Sequence, residues 1–174
     1  MKRALGNMSC VLIVAVGSTL ERHSGLLRRR PGNLLGLLQP MPDSALIPVV
    51  CAVIERSDGC VLLAQRPAHK HLALKWEFAG GKVEPGEEPA AALIREIREE
   101  LGCAIAIVRA LPRFPHRYGD VVIEMFPFVC RLTENSPEPH AHEHIALAWV
   151  APDELLGYDL AAADLPVVAD YRAK

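Results

Sequence analysis

Apolar and polar residues alternate in blocks that divide the chain after residue 44 into short predicted elements. Two β-branched apolar runs, residues 46–55 and 60–66, flank the turn sequence Ser57-Asp58-Gly59 and predict a β-hairpin. Apolar residues at helical spacing over residues 88–101, with a proline near the first turn and a glycine after the last, predict an amphipathic helix. The same reasoning predicts strands at residues 103–110, 120–131 and 145–150 and helices at residues 152–157 and 161–172.

This mixed order of strands and helices favours an α+β fold, an α/β/α sandwich around a mixed β-sheet. The chain has 174 residues, of which 51% are hydrophobic and 23% charged, a composition typical of one globular domain. No apolar stretch reaches 18 residues, so we expect no membrane-spanning helix and no membrane partner.

The first forty residues differ from the rest of the chain. They carry six Lys or Arg residues and a single acidic residue, Glu21. We assign residues 1–43 to an N-terminal extension, poorly ordered or targeting, and residues 44–174 to the folded domain. The extension also resembles a mitochondrial transit peptide or a secretory signal, and Met41 is an alternative start. We therefore expect a cytoplasmic protein, or a mitochondrial one if the extension is a transit peptide.

Residues 41–174 carry thirteen basic and twenty acidic residues, a formal charge of −7. Such an acidic body needs metal ions to bind an anionic substrate, and the overall charge of −2 argues against a nucleic-acid polymer as partner. The cysteines are odd in number and form no CxxC motif, which indicates reduced thiols: Cys10, Cys51, Cys60, Cys103 and Cys130.

The most informative segment is the predicted helix over residues 88–101. Glu96, Glu99 and Glu100 fall within an arc of about 100° on one helix face, next to its apolar face. A solvated charged face is the ordinary interpretation of such a stripe. Here, however, the helix follows the pair Gly80-Gly81, where the backbone can approach a ligand closely. Carboxylate and carbonyl oxygens at this spacing suit Mg²⁺ bridged to substrate phosphates.

The segment from Gly81 to Cys103 resembles the signature of the Nudix hydrolases. That signature reads glycine, five residues, Glu, seven residues, then Arg-Glu-(aliphatic)-x-Glu-Glu-x-Gly-(aliphatic), and only Cys103 departs from it. The similarity extends to LLAQRP at residues 62–67, WEFAGGKVEPGE at residues 76–87 and the later ADLPVV, which resemble the MutT-type branch. Ala79 stands where a proline commonly precedes the glycine pair.

The resemblance implies hydrolysis of nucleoside triphosphates to the monophosphate and pyrophosphate with Mg²⁺ or Mn²⁺. The implied substrate is a free nucleoside triphosphate, either an oxidised purine nucleotide such as 8-oxo-dGTP, cleared from the nucleotide pool to protect DNA, or a cytosine nucleotide. The alternatives are ADP-ribose, NADH or dinucleoside polyphosphates as substrates, and a non-catalytic nucleotide-binding module. Both a monomer and a homodimer agree with the sequence.

The resemblance also implies residue roles. The implied metal ligands are Gly80 through its carbonyl, Glu96, Glu99, Glu100 and the loop residue Glu143. The implied catalytic residues are the same three helix glutamates and Arg95, with Gly81 and Glu87 in support. The implied substrate-binding residues are Arg66 at phosphate, His71 and Phe78 near the base, and Asp164 as the reader of the base. His140, His142 and His144 form an HxHxH pattern, for which zinc is a minor alternative.

Overall fold

The computed structural model describes residues 46–173, so the predicted extension lies outside the described residues. The strands are β1 (Ile47–Glu55), β2 (Val61–Gln65), β3 (Trp76–Glu77), β4 (Gly80–Lys82), β5 (Ile105–Ala110), β6 (Phe114–Tyr118), β7 (Val121–Leu132) and β8 (Ala146–Val150). The helices are α1 (Pro89–Leu101) and α2 (Asp164–Arg172), with a short 3-10 helix at Leu155–Gly157. Within this part of the chain, no helix is long and apolar enough to cross a membrane.

The central strand β1 organises a mixed sheet. It runs parallel to β7 along its whole length, from Ile47 opposite Ile123 to Glu55 opposite Arg131. Its other edge pairs with β4 in antiparallel orientation and meets β2 at a single pair, Glu55 with Val61. The predicted hairpin is therefore confirmed at its turn, but β2 then leaves β1 to pair with β3 and β8.

Alternate residues of β1 face two different hydrophobic layers. Val49, Cys51 and Val53 belong to a core with Val167 and Val168 of α2. Their neighbours Val50, Ala52 and Ile54 belong to a second core, to which α1 contributes Leu93 and Ile97. The two helices thus cover opposite faces of one mixed sheet, which confirms the predicted α+β sandwich.

Three short strands were not predicted from the sequence. β3 has two residues, β4 contains the glycine pair and β6 contains Pro115, so none has the apolar run that predicts a strand. The predicted helix at residues 152–157 is only one 3-10 turn, and the C-terminal helix begins at Asp164. Cys51, Cys60, Cys103 and Cys130 are free thiols, and all but Cys60 are buried.

Candidate active site

The glycine pair lies between β1 and α1. Gly80 pairs with Cys51 and Gly81 with Val50, so β4 lies flat against the central strand. A Cβ at position 80 would lie 2.1 Å from the carbonyl oxygen of Val50, and one at position 81 would lie 1.9 Å from Cδ of Glu96. Both positions therefore require glycine, one for backbone pairing and the other to make room for a carboxylate.

Helix α1 places its three glutamates at very different depths. The helix begins at Pro89 and ends before Gly102, whose φ of 63° is the left-handed conformation that stops a helix. The Glu96 side chain is 16% exposed and that of Glu99 is 56% exposed, whereas the residue Glu100 is only 5% exposed. The predicted stripe thus runs from solvent into the edge of the core.

Arg95 is the cation that organises this stripe. Its guanidinium donates two hydrogen bonds to Glu87, at 3.0 and 2.9 Å, and one to Glu96 at 2.9 Å. It also reaches Glu99 at 3.4 Å and the carbonyl oxygen of Lys82 at 3.1 Å. The hydrogen bonds from Arg95 lower the pKa of Glu87. Arg95 therefore joins the loop before the helix to two of its carboxylates.

Glu100 is the most perturbed of the three carboxylates. Its Oε2 accepts a hydrogen bond from the amide of Gly80 at 3.1 Å. Burial, and then the nearby charge of Glu96, raise the pKa of Glu100 to about 8. Burial also raises the pKa of Glu96. Two partly desolvated carboxylates that repel one another are suited to a bound cation, which would favour their charged forms.

The predicted loop carboxylate Glu143 lies near these glutamates. Its charge raises the pKa of both Glu96 and Glu100, although burial is the larger cause at each. Its Oε2 is 2.5 Å from the ammonium of Lys70, and hydrogen bonding to Lys70 lowers the pKa of Glu143. The structure therefore brings Glu143 to the α1 carboxylates, paired with a lysine that was not among the predicted residues.

Arg66, the predicted phosphate contact, is buried. Its guanidinium donates to both carboxylate oxygens of Glu77, at 3.0 and 2.8 Å, and to the carbonyl oxygen of His71 at 2.8 Å. Nε2 of His144 lies 2.8 Å from the same Glu77 carboxylate, and burial lowers the pKa of His144 to about 4. Glu77 was not predicted, and the only signal for it in the sequence is an acidic residue between two aromatic ones, Trp76 and Phe78.

Of the three residues predicted to contact the base, two are buried and His71 is exposed. Phe78 and Asp164 are 2% and 0% exposed, and neither carboxylate oxygen of Asp164 has a hydrogen-bond partner among residues 46–173. Burial raises the pKa of Asp164. The ring of Tyr118 makes an edge contact with His71, and its hydroxyl accepts a hydrogen bond from the amide of Ala163 at 3.1 Å. Tyr118 thus connects His71 with Ala163, the residue before Asp164.

The three histidines of the HxHxH pattern point to separate partners. Nδ1 of His140 lies 2.6 Å from the carbonyl oxygen of Glu138, and Nδ1 of His142 lies 3.1 Å from that of Glu99. His144 is committed to Glu77, as described above. His142 and His144 therefore attach the loop before β8 to the end of α1 and to the buried pair of Arg66 and Glu77.

Comparison with known proteins decides the family. A sequence model of the NUDIX domain matches residues 45–171. The chain belongs to the Nudix family. The signature segment, from Gly81 to Cys103, lies within the matched residues and includes α1. The predicted relationship to Nudix hydrolases is confirmed.

Two bacterial Nudix relatives are similar over most of their length. The CTP pyrophosphohydrolase of Escherichia coli K12 is 43% identical over 132 residues, which cover 74% of this chain and 93% of that protein. The putative 8-oxo-dGTP diphosphatase 2 of Mycobacterium tuberculosis is 39% identical over 126 residues, covering 70% of this chain and 85% of the relative. Both names describe nucleotide hydrolases, so the family relationship extends to an enzymatic class.

Solved Nudix structures support the same relationship. The solution structure of the E. coli ORF135 protein has a TM-score of 0.67 at 41% identity and covers 78% of this chain and 94% of its own. A MutT Nudix hydrolase from Burkholderia pseudomallei has a TM-score of 0.60 at 32% identity, with 71% and 96% covered. The predicted MutT-type branch is therefore confirmed.

The donor set fits the divalent metal ion that Nudix hydrolases use. Among residues 46–173, no three His, Cys, Asp or Glu side chains converge closely enough to enclose a metal ion by themselves. Mg²⁺ is usually held by one or two carboxylates together with water and substrate phosphates, so a closed cage is not required. Glu96 and Glu100, desolvated and mutually repelling beside Gly80, are the carboxylates that would hold it.

Proposed function

We propose that this Nudix hydrolase converts nucleoside triphosphates to the monophosphate and pyrophosphate and so removes modified nucleotides from the pool. The observation that carries the proposal is the buried, hydrogen-bonded carboxylate of Glu100 beside Glu96 and the glycine pair. The names of the bacterial relatives, which include CTP and 8-oxo-dGTP, support a free nucleotide as the substrate class.

In the proposed reaction, water adds to a phosphorus atom of the triphosphate chain. The bond between that phosphorus and the oxygen bridging the α- and β-phosphates breaks, and the two products leave. Glu96, half-buried and hydrogen-bonded to Arg95, is our candidate for accepting the proton of the attacking water. When bound, Mg²⁺ or Mn²⁺ neutralises phosphate charge and makes water more acidic. Arg95 and Glu87 orient the glutamates without contacting the substrate.

Base recognition is proposed for Asp164 together with Phe78 and His71. The Asp164 carboxylate can accept a hydrogen bond from an exocyclic amine, or donate one when protonated. His71 lies in the loop after β2 and Phe78 directly after β3, and both are proposed to contact the ring. The four free thiols of the described chain are typical of a reducing compartment, which supports a cytoplasmic location. A small-molecule nucleotide, and no nucleic-acid polymer or membrane, is the proposed partner.

The test is pyrophosphate release from a panel of about a dozen nucleoside triphosphates, including 8-oxo-dGTP and modified cytosine nucleotides, with Mg²⁺ and with EDTA. We expect turnover that requires the metal and favours particular bases. Glu100→Gln keeps an acceptor for the Gly80 amide and is expected to abolish turnover in a folded protein. Hydrolysis of ADP-ribose or dinucleotides alone would overturn the proposed substrate class, and full activity of Glu100→Gln would overturn the assigned site.

A further inference from the structure

The acidic site must accommodate a polyphosphate, yet the arginine that sequence similarity assigns to phosphate is not available at the surface. Arg66 is 3% exposed, and its guanidinium is already hydrogen-bonded to Glu77 and to the backbone of His71. Lys70 is different, because its side chain is 35% exposed and its ammonium lies 2.5 Å from Glu143. Glu143 follows His142, whose amide donates to the carbonyl oxygen of Glu100 at 3.0 Å, so this ion pair lies beside the end of α1.

The loop that carries Lys70, residues 67–75, is held in a strained shape. Leu72 and Leu74 have φ angles of 54° and 61°, in the left-handed region that residues other than glycine seldom occupy. Arg66 fastens the loop at two points, since its amide donates to the carbonyl oxygen of Lys75 at 3.0 Å and its Nε donates to that of His71. The buried Arg66 therefore fixes the loop, and the loop presents Lys70 towards Glu143.

The ion pair between Lys70 and Glu143 is one that a ligand can replace. The Glu143 side chain is 53% exposed, and pairs between partly exposed side chains contribute little to stability. An ammonium makes charge-assisted hydrogen bonds with phosphate as well as with carboxylate, and a triphosphate carries more negative charge than one carboxylate. Lys70 can therefore exchange one partner for another while the hydrogen bonds from Arg66 to the loop stay in place.

We propose that Lys70 is a phosphate-binding residue of this site, which pairs with Glu143 in the free protein and exchanges that carboxylate for a phosphate oxygen of the bound nucleotide. The same exchange releases the Glu143 carboxylate at the moment when the substrate arrives. This inference rests on the proposed function. It assigns to the partly exposed Lys70 the phosphate contact that sequence similarity assigns to Arg66.

The test compares Lys70→Gln with Lys75→Gln, a matched control from the same loop. Lys75 also forms an ion pair, but with Asp159. For Lys70→Gln we expect KM for the preferred triphosphate to rise about 10-fold while kcat changes less than about 3-fold. Lys70→Arg is expected to retain most of the affinity, and Lys75→Gln is expected to match the unmodified protein.

A second readout does not depend on turnover. Calorimetric titration with Mn²⁺ alone should show tighter binding to Lys70→Gln than to the unmodified protein, because Glu143 is then no longer paired. Titration with the α,β-methylene analogue of the same triphosphate in the presence of Mg²⁺ should show about 10-fold weaker binding. A purely structural role would weaken both interactions together, so these opposite changes are specific to a partner exchange.

Equal KM and equal analogue affinity for Lys70→Gln and the unmodified protein would overturn the inference. If the unmodified protein hydrolyses no nucleoside triphosphate, the proposed function fails instead. Titration with inorganic tripolyphosphate and Mg²⁺ then still decides the role of Lys70, since it needs no base and no turnover. Weaker tripolyphosphate binding by Lys70→Gln would support the phosphate contact, and equal binding would contradict it.

Discussion

Gly81 leaves the space that the carboxylate of Glu96 occupies. A Cβ at position 81 would lie 1.9 Å from Cδ and 2.1 Å from Oε1 of Glu96, well inside any permitted contact. The neighbouring Gly80 faces backbone instead, because its Cβ would lie 2.1 Å from the carbonyl oxygen of Val50. The two adjacent glycines therefore serve different purposes, one in the site and the other in the sheet.

This difference predicts opposite consequences for two alanine substitutions. Gly81→Ala pushes aside only the flexible end of Glu96, so we expect a loss of free energy of unfolding below about 1 kcal/mol and a fall in kcat of about 100-fold. Gly80→Ala meets rigid backbone, so we expect it to destabilise the fold by about 3 kcal/mol. Urea denaturation and steady-state kinetics of both variants provide the measurement.

The test depends on which variant loses stability and which loses activity. A stable but inactive Gly80→Ala, or an unstable Gly81→Ala with normal specific activity, would contradict the geometry described for the glycine pair.

The sequence predicted the local features of this site better than the contacts between distant segments. Helix α1 begins and ends within one residue of its predicted bounds, because Pro89 and Gly102 are local signals. The pairing of Arg66 with Glu77, eleven residues apart, depends on β2 and β3 lying side by side. β3 itself has only two residues and no strand signal, so the burial of Arg66 could not be predicted. The residue roles carried over from the family remain predictions.

The buried pair of Arg66 and Glu77 makes a second prediction. Arg66→Met leaves a carboxylate 2% exposed without its cation, and breaking one side of a buried ion pair costs about 3–5 kcal/mol. Arg66→Met combined with Glu77→Gln removes both charges, and we expect the double variant to be more stable than Arg66→Met alone. Urea denaturation of the single and double variants measures this coupling. Strictly additive losses would show that the pair is not coupled.

The third prediction concerns Arg95, whose guanidinium donates hydrogen bonds to several acceptors at once. Lysine offers one ammonium and cannot bridge Glu87 and Glu96 as the guanidinium does. We therefore expect Arg95→Lys to reduce kcat by about 10–100-fold, with KM changed little, because the orientation of the glutamates is lost while the substrate contacts remain. The cost in stability should stay below about 1 kcal/mol, since the network is partly exposed. Normal kcat for Arg95→Lys would show that the glutamates do not depend on this arginine.

The fourth prediction concerns the stability of the metal-free protein as a function of pH. Burial and the charge of Glu96 raise the pKa of Glu100 to about 8 from an ordinary value of 4.5. Between these two values the folded protein binds a proton that the unfolded chain has released, so the free energy of unfolding falls as the pH rises. In EDTA we expect a fall on the order of 3 kcal/mol between pH 5 and pH 8 from this group.

Glu100→Gln removes this titrating group and should make the fall with pH less steep, so that the variant is more stable than the unmodified protein at pH 8. Glu99→Gln is the matched control on the same helix, because the Glu99 side chain is 56% exposed and should leave the slope unchanged. Urea denaturation in EDTA at half-unit steps of pH measures all three proteins. The same slope for Glu100→Gln and the unmodified protein would show that Glu100 does not carry the proton. A less steep fall for Glu100→Gln together with an unchanged one for Glu99→Gln would assign the proton to the buried carboxylate that contacts Gly80 and to its repulsion with Glu96, rather than to the exposed end of the stripe.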